Sequence, residues 1–160
     1  MRAIDTNLIV RYLTGDHPMQ SARARATIDG EDVFVATTVM LETEWVLRSA
    51  YGFDGSAVCH ALRSFAGLPS VTLEDPALVA AALDRVEAGM DFADALHLGC
   101  AEACDGFVTF DQRLIRTAKA AGHKRFGALT GAARTHSIPG RNSDFRLMVL
   151  PATMNTPSPV

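Results

Sequence analysis

Short apolar runs separated by helical patterns are the feature that most limits what this chain can fold into. Val33-Phe34-Val35-Ala36 is short, β-branched and apolar, the pattern of a buried strand, and Phe107-Val108-Thr109-Phe110 reads as another strand. Ala3-Ile4 before Asp5, Val71-Thr72-Leu73 and the stretch from Phe126 to Leu129 read as further extended pieces. Between them the period is helical. Leu8, Ile9, Tyr12 and Leu13 form one stripe, Val58, Ala61, Leu62 and Phe65 another. Leu78, Val79, Ala82, Leu83 and Val86 form a third, and Leu114, Ile115 and Ala118 a fourth. After the Val33 run, the spacing predicts Leu41, Trp45 and Ser49 on one inward line with Val46 beside them, which makes Trp45 a core residue. Residues 91–104 are predicted helical, with Ala95, Leu98 and Ala101 packed. The punctuation agrees. Pro18 and Asp75-Pro76 are helix starts, Thr37 or Thr38 is expected to cap a helix, and Gly30, Gly52, Gly89 and Gly122 mark helix ends. Strands alternating with helices define an α/β domain with a largely parallel sheet.

A chain of 160 residues with 48% hydrophobic content supports one domain with one core. It contains no apolar run of about 18 residues, as a membrane-spanning helix requires. Its first residues carry a charge and lack an apolar signal core, so no secretion signal is expected and a cytoplasmic location is. Cys59, Cys100 and Cys104 show no disulfide spacing and are expected as small buried residues in a reducing compartment. The net charge of -3 argues mildly against a protein that lives on phosphate contacts. Two bound divalent cations would reverse that sign, so the placement of the acids matters more than their sum. Beyond about residue 130 the composition turns to Gly, Pro, Ser, Thr and Asn, with one apolar cluster at Leu147-Met148-Val149-Leu150. Residues 1–130 are therefore expected to form the domain. Residues 131–160 are expected to be a poorly ordered tail, or an arm that packs on a partner.

In a parallel α/β sheet, ligands bind beyond the carboxyl ends of the strands. Asp5 follows the first apolar run, Asp111 follows the Phe107 run, and Glu42 lies near the start of the helix after Val33. Asp94 sits near the start of the 91–104 helix. Singly, each acid has a plain structural reading as a helix cap or a complement to the helix dipole. Jointly they converge on one sheet edge, where crowded carboxylates cannot all stay ionised without a cation. Oxygen-only ligands suit hard ions such as Mg²⁺ or Mn²⁺, and ions held this way serve phosphoryl chemistry. Glu44 competes with Glu42, but two residues along a helix span about 200°, so only one can face the site. Geometry alone leaves the choice open. His97, three residues after Asp94, is expected to be packed or hydrogen-bonded rather than a ligand. Arg11, Arg48, Arg113, Arg116, Lys119, Lys124 and Arg125 are the bases available to a nucleic-acid backbone, and no aromatic platform is visible.

Four segments resemble the motifs of PIN-domain nucleases, and more specifically VapC-type toxins of bacterial toxin–antitoxin pairs. They are Ile4-Asp5-Thr6-Asn7-Leu8-Ile9, the stretch from Val39 to Arg48, Asp91-Phe92-Ala93-Asp94-Ala95-Leu96-His97, and Thr109-Phe110-Asp111. By that resemblance Asp5, Glu42, Asp94 and Asp111 match the family's four acidic, metal-holding positions, and Asp91 matches an additional acid. The motif resemblance gives the site position to Glu42 and leaves Glu44 in solvent. Thr6, Asn7 and Thr109 match polar residues that support the cluster. The resemblance implies a PIN-like three-layer α/β/α domain, and Mg²⁺- or Mn²⁺-dependent endonucleolytic cleavage of RNA. It also implies a homodimer and inhibition by a VapB-type antitoxin. Two other readings remain open at this point. One is a non-catalytic interaction module of the same fold, its acids kept as caps or as a partner-facing patch. The other is a metal-dependent phosphatase or DNA nuclease.

Overall fold

A computed structural model of the protein describes residues 1–123 and the strand at 126–128. The expected tail at 131–160, with Lys124 and Arg125, lies outside the described residues. The chain runs β1 (Arg2–Ala3), α1 (Thr6–Thr14), α2 (Pro18–Gly30), β2 (Val33–Val35), α3 (Thr37–Ser49), α4 (Gly55–Ala66) and β3 (Val71–Leu73). It continues through α5 (Pro76–Glu87), α6 (Phe92–Cys100), β4 (Phe107–Thr109), α7 (Gln112–Ala120) and β5 (Phe126–Ala128). β1, β2 and β3 pair in parallel, with Ala3 opposite Phe34 and Phe34 opposite Thr72. β4 and β5 pair in parallel as a separate ladder, Val108 opposite Gly127. Helices crossing between parallel strands give the three-layer α/β/α arrangement expected from the alternation. The hydrogen bonding divides the anticipated single sheet in two among the described residues. β1 has only two residues, both exposed, and the chain enters the core only at Ile4.

The core is built from Val33 and Val35 of β2, which are fully buried, against Met40, Leu47, Val58, Leu62, Phe65, Leu83 and Phe92. Each such side chain taken out of water stabilises the fold by about 1.5–3 kcal/mol. The Tyr12 ring meets the edge of Phe65 at a centroid distance of 6.0 Å, tying α1 to α4. The stripes on α4, α5 and α7 fall where expected, with Leu114, Ile115 and Ala118 all buried. Gly52 and Gly89 end their helices with φ of 68° and 96°, a region that residues with a Cβ rarely adopt. Gly99 has a different use. A Cβ there would stand 2.2 Å from Leu78 Cδ1, so α6 packs close against α5 and a larger residue at this position would push the Leu78 side chain aside. Arg85 reinforces this contact, donating to the Ala95 carbonyl at 3.2 Å and to Glu102 at 2.8 Å.

Several expectations are corrected. The buried face of α3 is Met40, Thr43, Glu44 and Leu47, not Leu41, Trp45 and Ser49, and Trp45 is 64% exposed. Thr43 and Glu44 hide this stripe because they are polar residues on a buried face: Thr43 Oγ1 donates to the Val39 carbonyl at 2.7 Å, and Glu44 has only the long 3.4 Å contact from Arg48. α6 stops at Cys100 rather than 104, and Ala101 to Asp105 continue as turns and a bend. Cys100 and Cys104 are accordingly exposed, and only Cys59 is buried. His97 is exposed rather than packed.

Neither Thr37 nor Thr38 caps α3. The N-cap is Ala36, which has no side chain to offer. Glu74, just past β3, accepts instead from the Thr37 N–H at 2.8 Å. Glu74→Ala is expected to destabilise the protein by about 1 kcal/mol in urea unfolding, the usual loss for a cap. Thr38→Ala should stay within about 0.5 kcal/mol of the parent.

Candidate active site

The strand-to-helix turns place the acids. Asp5 follows β1 and caps α1, its Oδ1 accepting from the Leu8 N–H at 3.0 Å. Asp111 follows β4 and caps α7, its Oδ1 accepting from Arg113 at 2.7 Å and Leu114 at 3.1 Å. The Asp111 N–H in turn donates to Thr109 Oγ1 at 3.0 Å, so Thr109 fixes the turn that carries Asp111. Asp91 caps α6 through Oδ1, which accepts from Ala93 at 2.9 Å and Asp94 at 3.4 Å. The structural reading of these three acids as caps therefore holds. Each cap uses one carboxylate oxygen, and Oδ2 has no hydrogen bond to the described residues.

Two groupings form. In the first, buried Thr6 donates from Oγ1 to Glu42 Oε2 at 2.5 Å, which orients Glu42 beside the residue that follows Asp5. Asn7 lines a cavity of about 450 Å³ between α1 and α2 together with Asp5, Arg11, Gln20 and Arg23. In the second, Asp94 is half-buried, and its carboxyl is raised above the ordinary aspartate value. Burial is the main cause, followed by the charges of Asp91 and Asp111, with His97 and Arg113 opposing. Asp94 thus feels both Asp91, the cap of its own helix, and Asp111, at the start of α7.

Glu44 departs from the expectation of a solvent-facing residue. It is 5% exposed, and burial raises its carboxyl above the ordinary value, Arg48 opposing and Asp91 adding to the rise. The helix arithmetic was sound in keeping Glu42 and Glu44 apart, but both sides of the helix are occupied. Trp45, missed as a surface residue, lines a cavity of about 320 Å³ with Glu44, Arg48, Ser49 and Asp91. Its stripe neighbours gave the wrong signal, and no local pattern marks it as exposed. Of the bases, Arg11 is committed to Asp16, Gln20 and Tyr51, whereas Arg113 is exposed and close enough to Asp94 to act on it.

The donors are all oxygens, as a hard divalent cation requires. Their placement is looser than a finished coordination shell. Among the described residues, no three His, Cys, Asp or Glu side chains stand close enough to form one ligand set. Repulsion among the carboxylates acts in that direction.

Taken together, the elements define a parallel α/β domain in which Asp5 and Asp111 directly follow strand ends. A family model for the PIN domain matches residues 3–120, and the chain belongs to the PIN-domain family. PIN domains are typically metal-dependent nucleases. No curated protein matches the chain. No helix among the described residues is long and apolar enough to cross a membrane.

The raised Asp94 carboxyl makes a stability prediction. The folded chain binds this proton more tightly than the unfolded chain, so ionised Asp94 destabilises the fold above its folded pKa. Asp94→Asn should therefore raise the Tm of the metal-free protein at about pH 7. The advantage should vanish at about pH 3, below the ordinary aspartate value. Thermal unfolding across pH measures this, and a difference independent of pH would contradict the assignment.

Proposed function

We propose that the protein is a metal-dependent endoribonuclease of the VapC type, the toxin of a toxin–antitoxin pair. On this reading RNA is its substrate, a VapB-type antitoxin its inhibitor, a homodimer its working form and the cytoplasm its compartment. The observation that carries the nuclease reading is the electrostatic coupling of Asp94 to Asp91 and Asp111, three acids delivered by the starts of two helices, α6 and α7. The membership in the PIN family supports it. The toxin role rests on the motif resemblance.

Asp5, Glu42, Asp94 and Asp111 would hold Mg²⁺ or Mn²⁺. The bound cation supplies Lewis-acid charge at the scissile phosphate and activates water for attack. The chain's own residues supply the rest. Asp5 and Asp111 keep one oxygen on the helix backbone, which fixes the direction of the other. Thr6 holds Glu42 in place, Asp91 sets the start of the helix that carries Asp94, and Thr109 locks the Asp111 turn. Arg113 offers positive charge to the RNA backbone beside Asp94. Asn7 adds a polar group next to Asp5.

A second reading, a non-catalytic interaction module, draws on the capping role of Asp5, Asp91 and Asp111 and on the open spacing of the acids. Purified protein with Mg²⁺ or Mn²⁺ separates the two. The nuclease reading expects internal cleavage of RNA, loss of cleavage to background in Asp5→Asn and Asp94→Asn, and a Tm raised by metal in the parent. It also expects Thr6→Val to lose about 10- to 100-fold, as outer-sphere partners of metal ligands do. Folded Asp variants that cleave as fast as the parent would sink it. Absence of metal binding in a calorimetric titration would favour the module. Cleavage of DNA or of phosphomonoesters in preference to RNA would move the assignment to another metal-dependent hydrolase.

A further inference from the structure

Glu44, Trp45 and Arg48 have no part in the reaction described above, yet they meet around one cavity beside it. The cavity measures about 320 Å³ and is also lined by Ser49 and Asp91. That is at the small end of ligand sites, about 300–1,000 Å³. Trp45 presents an open aromatic face, 64% exposed, on a helix whose neighbouring Met40 and Leu47 are fully buried. Glu44 lies at the bottom, 5% exposed. Arg48 reaches it only at 3.4 Å, long for a charged pair, and its other oxygen has no hydrogen-bond donor among the described residues. A buried carboxylate so poorly satisfied is expensive unless a ligand completes it. The rim is shared with the acids, since Asp91 lines the cavity and also accepts from the Asp94 N–H.

We infer that this cavity is a base-binding subsite for single-stranded RNA, in which a nucleobase stacks on Trp45 and turns its N–H edge toward Glu44. The inference rests on the nuclease reading for its substrate class. Stacking on an exposed aromatic is how single strands are held without a duplex. An ionised carboxylate only accepts hydrogen bonds, so it selects bases that donate. Guanine presents a ring N–H and an exocyclic amine side by side, a pair that spans both oxygens of one carboxylate. Uracil offers one ring N–H flanked by carbonyls that the carboxylate repels. The subsite therefore prefers guanine over uracil. Arg48, exposed at the rim, is available to the adjoining phosphate. The same aromatic face could be covered by a second copy of the chain, and the test separates that outcome.

Trp45 is the single tryptophan of the chain, so its fluorescence reports on this cavity alone. Full-length protein without divalent metal is titrated with 2′-O-methyl RNA hexamers that resist cleavage, one carrying a single guanine and one with uracil in its place. The guanine hexamer is expected to quench Trp45 and to bind about tenfold more tightly than the uracil hexamer. Glu44→Gln should abolish that preference while quenching persists. Trp45→Ala should weaken binding of a labelled hexamer by about 5- to 150-fold, and Trp45→Phe should restore most of it. Circular dichroism confirms that the variants are folded. Absence of quenching by either hexamer, or unchanged affinity in Trp45→Ala, overturns the subsite. Conversion of a dimer to a monomer by Trp45→Ala, with hexamer affinity intact, overturns it in favour of an interface between copies. Cleavage by the parent protein is scored separately. RNA cleavage with a silent Trp45 defeats the subsite alone, whereas guanine binding without cleavage of any RNA supports the subsite and defeats the nuclease reading.

Discussion

A helix begins with backbone N–H groups that no helical carbonyl can reach, and much of this molecule is organised around satisfying them. Asp5, Asp54, Asp75, Asp91 and Asp111 each accept from the opening turn of a helix. Their negative charge also complements the positive end of the helix dipole. A parallel connection forces a helix to start at the carboxyl end of the strand before it. The capping acids after β1 and β4 are thereby carried to the strand ends, where a parallel α/β domain places its ligands. One oxygen of each serves the backbone and the other stays available, so structure and chemistry are drawn from the same carboxylate. The two roles are not rivals.

This economy explains why the domain and its acids were so legible in the sequence. The β-branched runs Val33-Phe34-Val35 and Val71-Thr72-Leu73 became strands because short β-branched segments favour extended backbone, the first of them buried at Val33 and Val35. The α7 stripe survived intact because its three apolar positions, Leu114, Ile115 and Ala118, are flanked by charge. Thr6 and Glu42, 36 residues apart, were assigned to one site from motif alone, and a hydrogen bond joins them. What stayed hidden was long-range or locally disguised. The Glu74 carboxylate that caps α3 comes from 37 residues away, beyond any local rule. Giving Glu42 the motif position puts Glu44, two residues on, in solvent, and the line through Leu41 and Ser49 puts Trp45 in the core. The α3 helix reverses both, turning Thr43 and Glu44 inward and Trp45 outward.

The acids also show where the fold and its chemistry pull apart. Burial and the neighbouring charges of Asp91 and Asp111 oppose ionisation of Asp94. A domain optimised for stability alone would have no reason to assemble them. Glu44 extends the pattern one layer further, since it too is buried and feels Asp91. The acidic edge and the tryptophan-lined cavity are thus adjoining regions of one strained surface, joined at the start of α6.

The seating of α6 rests in turn on Gly99. Asp91 and Asp94 ride on the helix that this glycine lets settle against Leu78 and Arg85. The position of both carboxylates is consequently set by an absent methyl group on the far end of the helix. A mutational survey scored on catalysis would rank residue 99 among the functional positions, although nothing there meets substrate. A survey scored on folding would see only the cost of repacking Leu78 against a helix otherwise held by Phe92, Ala95 and Leu98. Disagreement between two such maps would reveal a lever: distance along a rigid helix converted into register at its capped end.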